Sequence, residues 1–370
     1  MIRKLQAKLL NIPFKGSFTH ASAARSQTQS IWVEAESDTG ARGFGEGCPR
    51  EYVTGESAES ALSFIRGSEA EVLRIGSLHE LKAWVDSHRT QIDANPAAWC
   101  AIELALLDVM ARDSGQTVEA LLSLPPVEGR FYYSAVLGAE APTVFQKQLE
   151  RYLQLGFRNF KAKLSGEKEI DGVRLAMLKA AAGAMDSLRL DANNLWKSPA
   201  EALGYLSKLE TSAFAIEEPL APGRYPELRQ IADAAGIKII LDESFLRYGQ
   251  VEDLSPSPGP WIINLRISKM GGLLRSWAIA EQAQAINLPL IIGCQVGETS
   301  LLTRAALTVA SGMKKQALLA QEGAFGTHLL QRDVVASPLM FGAAGCLDLT
   351  GRNFATAAGF GLEPTEGSIG

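Results

Sequence analysis

The stretches SLRLD (187–191), AFAIEE (213–218) and IKIILDE (237–243) decide the fold. Each is a short apolar run of strand length that ends in an acidic residue, and the runs recur about every 25 residues. Helical patterns such as SPAEALGYLSKLE (198–210) lie between them. This regular alternation of strand and helix is typical of βαβ units, whose strands form a parallel sheet.

The same alternation continues on both sides of this region. The further strand-like runs are FYYSAVLG (131–138), RNFKAKL (158–164), WIINLRI (261–267), PLIIG (289–293) and QALLAQE (316–322). Eight such strands in one series predict a closed parallel barrel of the β/α type, which takes about 250 residues. Neither GxGxxG nor GxxxxGK[ST] follows any of these strands, so a nucleotide-binding sheet is not indicated.

The residues before the barrel follow a different pattern. QSIWVEAESD (29–38) alternates apolar and polar residues, and SDTGARGFGEG (37–47) has the Asp and Gly chemistry of a hairpin turn. AAWCAIELALLDVMARDSG (97–115) is apolar nearly all round, which predicts a buried helix. Strands followed by helices indicate an α+β arrangement.

Composition excludes several classes of protein. The chain has 370 residues, is 46% hydrophobic and carries a net charge of -5 without a long basic run, so we expect no nucleic-acid partner. Its apolar runs are far shorter than the roughly 20 residues of a membrane helix, and polar residues interrupt the N-terminus too often for a signal peptide. Four scattered cysteines without a CxxC pair predict reduced thiols and a cytoplasmic protein.

Two lysines end the second strand of the series. Lys161 and Lys163 are two positions apart and share one face, while Phe160, Ala162 and Leu164 share the other. The apolar face suits contact with the surrounding helices, which directs both ammonium groups into the barrel. The alternative is an exposed edge strand with solvated lysines.

Acidic residues end the next three strands: Asp191, Glu217 and Asp242. Active sites of β/α barrels lie at the C-terminal ends of the strands, where these carboxylates would meet and require a cation to offset their repulsion. An all-oxygen ligand set favours Mg²⁺ or Mn²⁺ over zinc, and none of the four histidines ends one of these strands. The alternative is that each acid caps its own helix.

Three further charged residues follow later strands. Lys269 lies in SKMGG (268–272) after the sixth strand and, by count, faces Lys163 across the barrel. Glu298 follows the seventh strand and Glu322 ends the eighth. Either acid is a candidate to support Lys269 or to contact substrate, and a structural role stays open for both.

This constellation suits removal of a proton beside a carboxylate. A divalent metal neutralises the charge that develops on the carboxylate oxygens, and a lysine near other cations is favoured as a neutral base. Two bases on opposite faces of the carbon, Lys163 and Lys269, permit inversion of a stereocentre. One base with a cation opposite permits β-elimination or cycloisomerisation.

Together these residues resemble the enolase superfamily, and within it the muconate-lactonizing-enzyme subgroup, which is related to mandelate racemase. The resemblance covers nearly the whole chain and implies a magnesium-dependent isomerase that acts on a small-molecule carboxylate through a metal-stabilised enediolate. The family's acid/base lysines match Lys163 of KAK and Lys269 of SKMGG. Its metal ligands match Asp191 in DANN, Glu217 in EEP and Asp242 in DES.

The resemblance also implies an architecture. We expect an N-terminal α+β capping domain at residues 1–125, a modified (β/α)7β barrel at 126–345, a C-terminal segment at 346–370 that packs back on the cap, and a homo-oligomer. The family's loops that close over substrate correspond to FTHASAARS and PREYVTGES. The candidates for contacting or supporting the substrate are Thr19, His20, Tyr52, Lys161, Asn193, Glu298, Glu322 and Phe325.

Two departures from the family pattern concern substrate choice. Dipeptide epimerases of the subgroup have an Asp-x-Asp near the end of the last strand, where this chain reads EGAFGTHLL (322–330), and Arg266 stands where many relatives have another lysine. A racemase, epimerase or cycloisomerase is expected, with a lyase of the o-succinylbenzoate synthase type as the alternative. A Schiff-base aldolase and a barrel that only binds ligand are more remote alternatives.

Overall fold

The computed structural model describes residues 1–20 and 23–365, with the backbone alone for residues 17–20 and 23–24. The N-terminal strands are β1 (Ile2–Leu10), β2 (Pro13–His20), β3 (Ala23–Gln27), β4 (Ser30–Ser37) and β5 (Arg42–Gly47). The helices that follow are α1 (Glu51–Thr54), α2 (Ala58–Val72), α3 (Leu78–Ser87), α4 (Arg89–Ala94), α5 (Pro96–Asp113) and α6 (Val118–Leu122). Strands β1, β4 and β5 form an antiparallel sheet, and β2 pairs with β3. The predicted hairpin between β4 and β5 is confirmed.

Helix α5 packs directly on strand β5 because alternate residues of the strand are glycines. A β-carbon built on Gly45 would lie 1.8 Å from the carbonyl oxygen of Ala101. A β-carbon on Gly43 or Gly47 would lie 2.3 Å or 1.9 Å, respectively, from the nearest α5 backbone atom. Nearly every residue of α5 is buried, as its apolar sequence predicts. The contact therefore depends on small residues from both elements.

The barrel begins with β7 and contains eight parallel strands. Two short strands flank it, β6 (Arg130–Tyr132) and β15 (Cys346–Asp348). The barrel strands are β7 (Ala135–Leu137), β8 (Asn159–Lys163), β9 (Ser187–Asp191), β10 (Ala215–Glu217), β11 (Lys238–Leu241), β12 (Trp261–Leu265), β13 (Leu290–Ile292) and β14 (Leu318–Gln321). The helices between them are α7 (Pro142–Gln154), α8 (Lys168–Ala180), α9 (Pro199–Leu206), α10 (Tyr225–Ala235), α11 (Gln250–Leu254), α12 (Leu273–Ala285) and α13 (Ser300–Gly312).

The strands pair in chain order from β7 to β14. The two ends of the sheet meet where the amide of Ser134 donates a 2.8 Å hydrogen bond to the carbonyl oxygen of Gln321. Eight strands joined by seven helices confirm the (β/α)7β barrel. One detail differs, because the run FYYSAVLG is divided between β6, which pairs with β15, and the first barrel strand β7.

The inward face of the barrel changes from apolar to polar along the strands. Ala215, Ile240, Ile262 and Ile291 form a buried cluster separate from the main core. Two positions later, on the same face of three of these strands, stand Glu217, Asp242 and Asn264. The barrel thus has an apolar floor and a polar mouth at the carboxyl ends of its strands.

The C-terminal region contacts helix α5 of the N-terminal region and helix α13 of the barrel. The amide of Phe360 donates to Asp108 Oδ1 of α5 at 2.7 Å, and its carbonyl accepts from Arg304 Nε of α13 at 2.9 Å. Arg112 of α5 donates to the carbonyl of Leu362 at 2.6 Å. Among the helices described, none is both long and apolar enough to span a membrane.

Candidate active site

Lys163 stands at one side of the polar mouth. It is in register with Asp191 of the neighbouring strand, and Asp191 is in register with Glu217 of the next. Lys163 Nζ lies 3.5 Å from both Asp191 Oδ2 and Asn193 Oδ1. Its side chain keeps 17% exposure, so this ammonium group is accessible from the mouth.

Lys161 lies deeper on the same strand face. Its Nζ is 2.9 Å from Glu322 Oε2, 3.1 Å from Glu217 Oε2 and 3.5 Å from Asp191 Oδ2. Burial opposes the charge, but these carboxylates prevail and raise the pKa of Lys161 above its usual value. Arg189 Nη2 also donates to Glu322 at 2.7 Å. The carboxylates around Lys161 favour its charged form, which suits a supporting role better than that of a base.

Asp242 is held by two cations that follow strand β12. Lys269 Nζ donates to Asp242 Oδ1 and to its carbonyl oxygen, each at 2.8 Å, and to the carbonyl of Asn264 at 2.7 Å. Arg266 forms a salt bridge with Asp242 Oδ2 and lies 4.0 Å from Glu217 Oε1. Burial lowers the pKa of Lys269. However, three oxygen acceptors require three N–H donors, which only the protonated ammonium supplies, and we therefore assign the charged form.

The turn after β11 is shaped by a carboxylate that sequence reasoning did not single out. Glu218 accepts hydrogen bonds from the amides of Asp242 and Ser244, both at 2.7 Å, and from Ser244 Oγ at 2.8 Å. Burial raises the pKa of Glu218 to about 7. Its hydrogen bonds fix the backbone from which the Asp242 side chain projects.

The three predicted metal ligands, Asp191, Glu217 and Asp242, are all buried at the mouth. Throughout the described part of the chain, no three His, Cys, Asp or Glu side chains are grouped as a ready-made metal site. The cations of Lys161 and Arg266 balance these carboxylates instead, and each of the two contacts more than one of them. Buried carboxylates that share cations fit a hard divalent ion by their donor chemistry.

Three other predicted residues lie around this centre. Asn193 adopts a positive φ of 45°, and its amide donates to Asp191 Oδ1 at 3.1 Å. Glu298 accepts from the amide of Gln295 at 2.6 Å, and burial raises its pKa to about 8. Glu322 is engaged by Lys161 and Arg189, which hold the pKa of Glu322 well below its usual range although burial opposes them.

The remaining predicted residues belong to loops and the cap. Phe325 packs edge-on against Phe341 at 5.7 Å between ring centroids. Tyr52 lies in α1 with the guanidinium of Arg25 5.9 Å from its ring centroid. Thr19 and His20 belong to strand β2, but their side chains lie outside the described part of the structure, so their contact with substrate stays a prediction.

Three polar residues of the mouth are not among the sequence candidates: Arg189, Asn264 and Arg266. Asn264 Nδ2 donates to Glu217 Oε1 at 3.0 Å, and Arg266 Nη1 donates to Gln295 Oε1 at 3.0 Å. In each case the spacing of the residue within its strand could have identified it from the sequence. Arg189 precedes Asp191 by two positions, and Asn264 and Arg266 are two apart, so strand alternation places them on the inward face.

Comparison with known proteins identifies the family. The family described as enolase C-terminal domain-like matches residues 144–368. A hydrophobic dipeptide epimerase of Enterococcus faecalis is 25% identical over 331 residues, which cover 88% of this chain and 91% of that protein. Curated relatives with similar matches are racemases and epimerases.

Solved structures share the fold. A dipeptide epimerase of Enterococcus faecalis, complexed with Mg and L-Leu-L-Tyr, has a TM-score of 0.82 at 24% identity and covers 98% of this chain and 99% of its own. A muconate lactonizing enzyme of Pseudomonas fluorescens, complexed with muconolactone, has a TM-score of 0.87 at 23% identity, with 100% and 98% covered. The family match extends over more than half of the chain, which therefore belongs to the enolase C-terminal domain-like family and is an isomerase of the enolase superfamily.

Proposed function

We propose that this isomerase depends on magnesium and removes a proton from the carbon beside a substrate carboxylate, with Lys163 as the acid/base. Asp191, Glu217 and Asp242 would hold the ion, and Mn²⁺ is expected to substitute for Mg²⁺. The reaction is an isomerisation within one small molecule that carries a carboxylate.

The observation that supports this proposal is that one lysine and three carboxylates stand at the ends of four successive barrel strands. Lys163, Asp191 and Glu217 are in register on three adjacent strands, and Asp242 follows the next strand. A partly exposed ammonium group therefore stands beside buried carboxylates. A base and a cation site are thus adjacent where the strands converge, as proton abstraction beside a carboxylate requires.

The chain's own residues have separate tasks in this scheme. Lys163 takes the proton from carbon and later returns it. Lys161 stays charged and balances the carboxylates beneath the mouth, while Glu218 and Lys269 fix the position of Asp242. The bound ion supplies positive charge where negative charge develops on the substrate carboxylate. The apolar floor excludes water from below.

The end of the last strand bears on the substrate class. Residues 322–326 are Glu-Gly-Ala-Phe-Gly, and their single carboxylate, Glu322, is already paired with Lys161 and Arg189. A substrate ammonium group would find no free counter-charge in this stretch. We therefore propose a carboxylate substrate without a free amino group in preference to a dipeptide.

Metal binding and proton exchange test the proposal in separate steps. Calorimetry with Mg²⁺ or Mn²⁺ should show binding that Asp191→Asn weakens. NMR in D2O should show loss of the proton beside the carboxylate of a small-molecule probe without a free amino group, either muconolactone or N-succinyl-L-arginine, the substrate type named for a Bacillus cereus relative. Lys163→Ala should reduce this exchange by about 10²- to 10⁴-fold. The exposed Lys208→Ala is the matched control and should exchange like the unmodified protein.

Exchange that survives Lys163→Ala would remove this lysine from the mechanism, and unchanged metal affinity in Asp191→Asn would remove the ion site. A lyase of the o-succinylbenzoate synthase type would use the same residues. It differs in its product, because water is lost, and mass spectrometry of the product separates the two reactions.

A further inference from the structure

Two cationic side chains follow strand β12, and they differ in what they can reach. The side chain of Lys269 has no exposure, and all three of its N–H groups are engaged by oxygens of Asp242 and Asn264. The side chain of Arg266 keeps 12% exposure, and its guanidinium contacts side chains of the mouth. Arg266, not Lys269, is therefore the accessible cation.

Strand geometry explains this difference. The side chain of Asn264 points into the barrel, where it bonds Glu217, so Arg266 two positions later continues the inward face. Lys269 belongs to the turn that follows, in which the amide of Met270 bonds the carbonyl of Arg266 at 3.0 Å. That turn carries the lysine back against main-chain oxygens of β12 and of the residue that follows β11.

The position of Arg266 around the barrel is as informative as its exposure. Lys163 ends β8 and Arg266 follows β12, which are four strands apart in a barrel of eight. Residues separated by half the strands of a closed barrel lie on opposite sides of its mouth. A substrate carbon above the carboxylates would have Lys163 on one face and Arg266 on the other.

We infer that Arg266 replaces a second base, so that this enzyme moves protons on one face of the carbon only. This inference rests on the proposed function and deepens it. A guanidinium group stays protonated in proteins and only donates hydrogen bonds, so it cannot take a proton from the opposite face. Inversion of a stereocentre is then excluded. One base with a cation opposite leaves β-elimination or cycloisomerisation, and of these two reactions cycloisomerisation is the one that an isomerase performs.

Opening or closing of a lactone ring needs only one base, and its bonds, proton and electron pairs can all be accounted for. The C–H bond beside the carboxylate breaks, its proton goes to Lys163 Nζ, and its electron pair forms the double bond to the β-carbon. The β-carbon–oxygen bond of a lactone breaks in turn, and its electron pair remains on the departing oxygen as a new carboxylate. Arg266 supplies a fixed positive charge toward that oxygen, and the reverse sequence closes the ring.

Stereochemistry of exchange is the first test. In D2O with Mg²⁺ the unmodified protein should exchange the target proton of muconolactone, or of one epimer of N-succinylarginine, with retention and without forming the other epimer. Arg266→Lys should retain this exchange and add exchange from the opposite epimer. Deuterium-labelled opposite epimer formed by the unmodified protein would overturn the inference.

Lysine accessibility is a second test that needs no turnover. Reductive methylation of the native protein, read by peptide mass spectrometry, should modify Lys163 about tenfold or more faster than Lys269, since burial limits reaction to local opening. In Arg266→Lys, the side chain introduced at position 266 should label at a rate comparable to Lys163. Equal labelling of Lys269 and Lys163 would overturn the inference even if neither probe is turned over.

The two proposals fail in different ways. Exchange that persists in Lys163→Ala contradicts the proposed function. Two-sided exchange that is lost in Lys163→Ala leaves the proposed function intact and contradicts only the assignment of Arg266.

Discussion

The stability of this protein should depend on pH through Glu46, a carboxyl group that joins the cap to the barrel. Glu46 lies on β5 with no exposure, and it accepts 3.2 Å hydrogen bonds from the amide of Thr299 and a 2.6 Å bond from Thr299 Oγ1. Thr299 is the N-cap of α13. Burial raises the pKa of Glu46 from 4.5 to about 7, and the nearby Asp333 adds to the effect.

The sign follows from proton linkage. Because the folded pKa is above the unfolded value, the folded state binds the proton more tightly, and this contribution to stability is fully present below about pH 4.5. It is lost as the pH rises to about 7 and beyond. The shift from 4.5 to about 7 corresponds to about 3 kcal/mol as an upper bound, since one pKa unit is about 1.4 kcal/mol.

Glu46→Gln removes the titration and keeps the shape and most hydrogen bonds, because its amide can donate to Thr299 Oγ1 and its oxygen can accept from the Thr299 amide. Urea unfolding at about pH 5 and about pH 8.5 should show the variant gaining up to about 3 kcal/mol relative to the unmodified protein at the higher pH. Exposed Glu69→Gln is the control and should follow the unmodified protein. A Glu46→Gln difference that is the same at both pH values would refute the reasoning.

Three further outcomes are expected. Gly45→Ala should destabilise the protein by about 1–3 kcal/mol or more in urea unfolding, because the new methyl group meets the Ala101 carbonyl, whereas exposed Gly67→Ala in α2, with open space around it, should stabilise by about 0.5–1 kcal/mol. Arg304→Met should lower the free energy of unfolding, measured in urea, by about 3–5 kcal/mol, because it leaves the buried Glu119 carboxylate without its cation. Adding Glu119→Leu should recover most of this loss of stability. Excess EDTA should abolish proton exchange while circular dichroism stays unchanged, and a chelator-resistant exchange would exclude the metal.

The barrel could be predicted because its strands are short, apolar and evenly spaced, and because the rule that chemistry collects at strand ends needs no coordinates. The same rule selected Lys163, Asp191, Glu217 and Asp242, which the structure brings to one mouth. The local sequence pattern did not predict that FYYSAVLG is divided between two strands. Its first residues pair with β15, more than 200 residues later, and such a long-range pairing leaves no trace in local periodicity.

The choice between two cations after β12 shows a different limit of sequence reasoning. Arg266 and Lys269 are three positions apart, and both follow an apolar strand. Which of them faces the mouth depends on where the strand ends and on the turn's hydrogen bonds, including the one from Gly272 to Ile267. Counting from strand ends assigned Lys269, whereas strand alternation from Asn264 would have favoured Arg266.

The charges of the mouth form two levels with different consequences. The lower level is closed: Lys161 and Arg189 both contact Glu322 with almost no exposure, and Lys161 also contacts Glu217, so each cation already has a carboxylate partner. The upper level is open, because Lys163 and Arg266 each retain some exposure. Charged side chains that are paired and buried hold their neighbours in position, whereas charged side chains that remain exposed at the mouth can contact a ligand. If the inference about Arg266 holds, Lys163 is the only one of these two groups that can release a proton, and proton transfer is then confined to the side of the mouth where Lys163 stands.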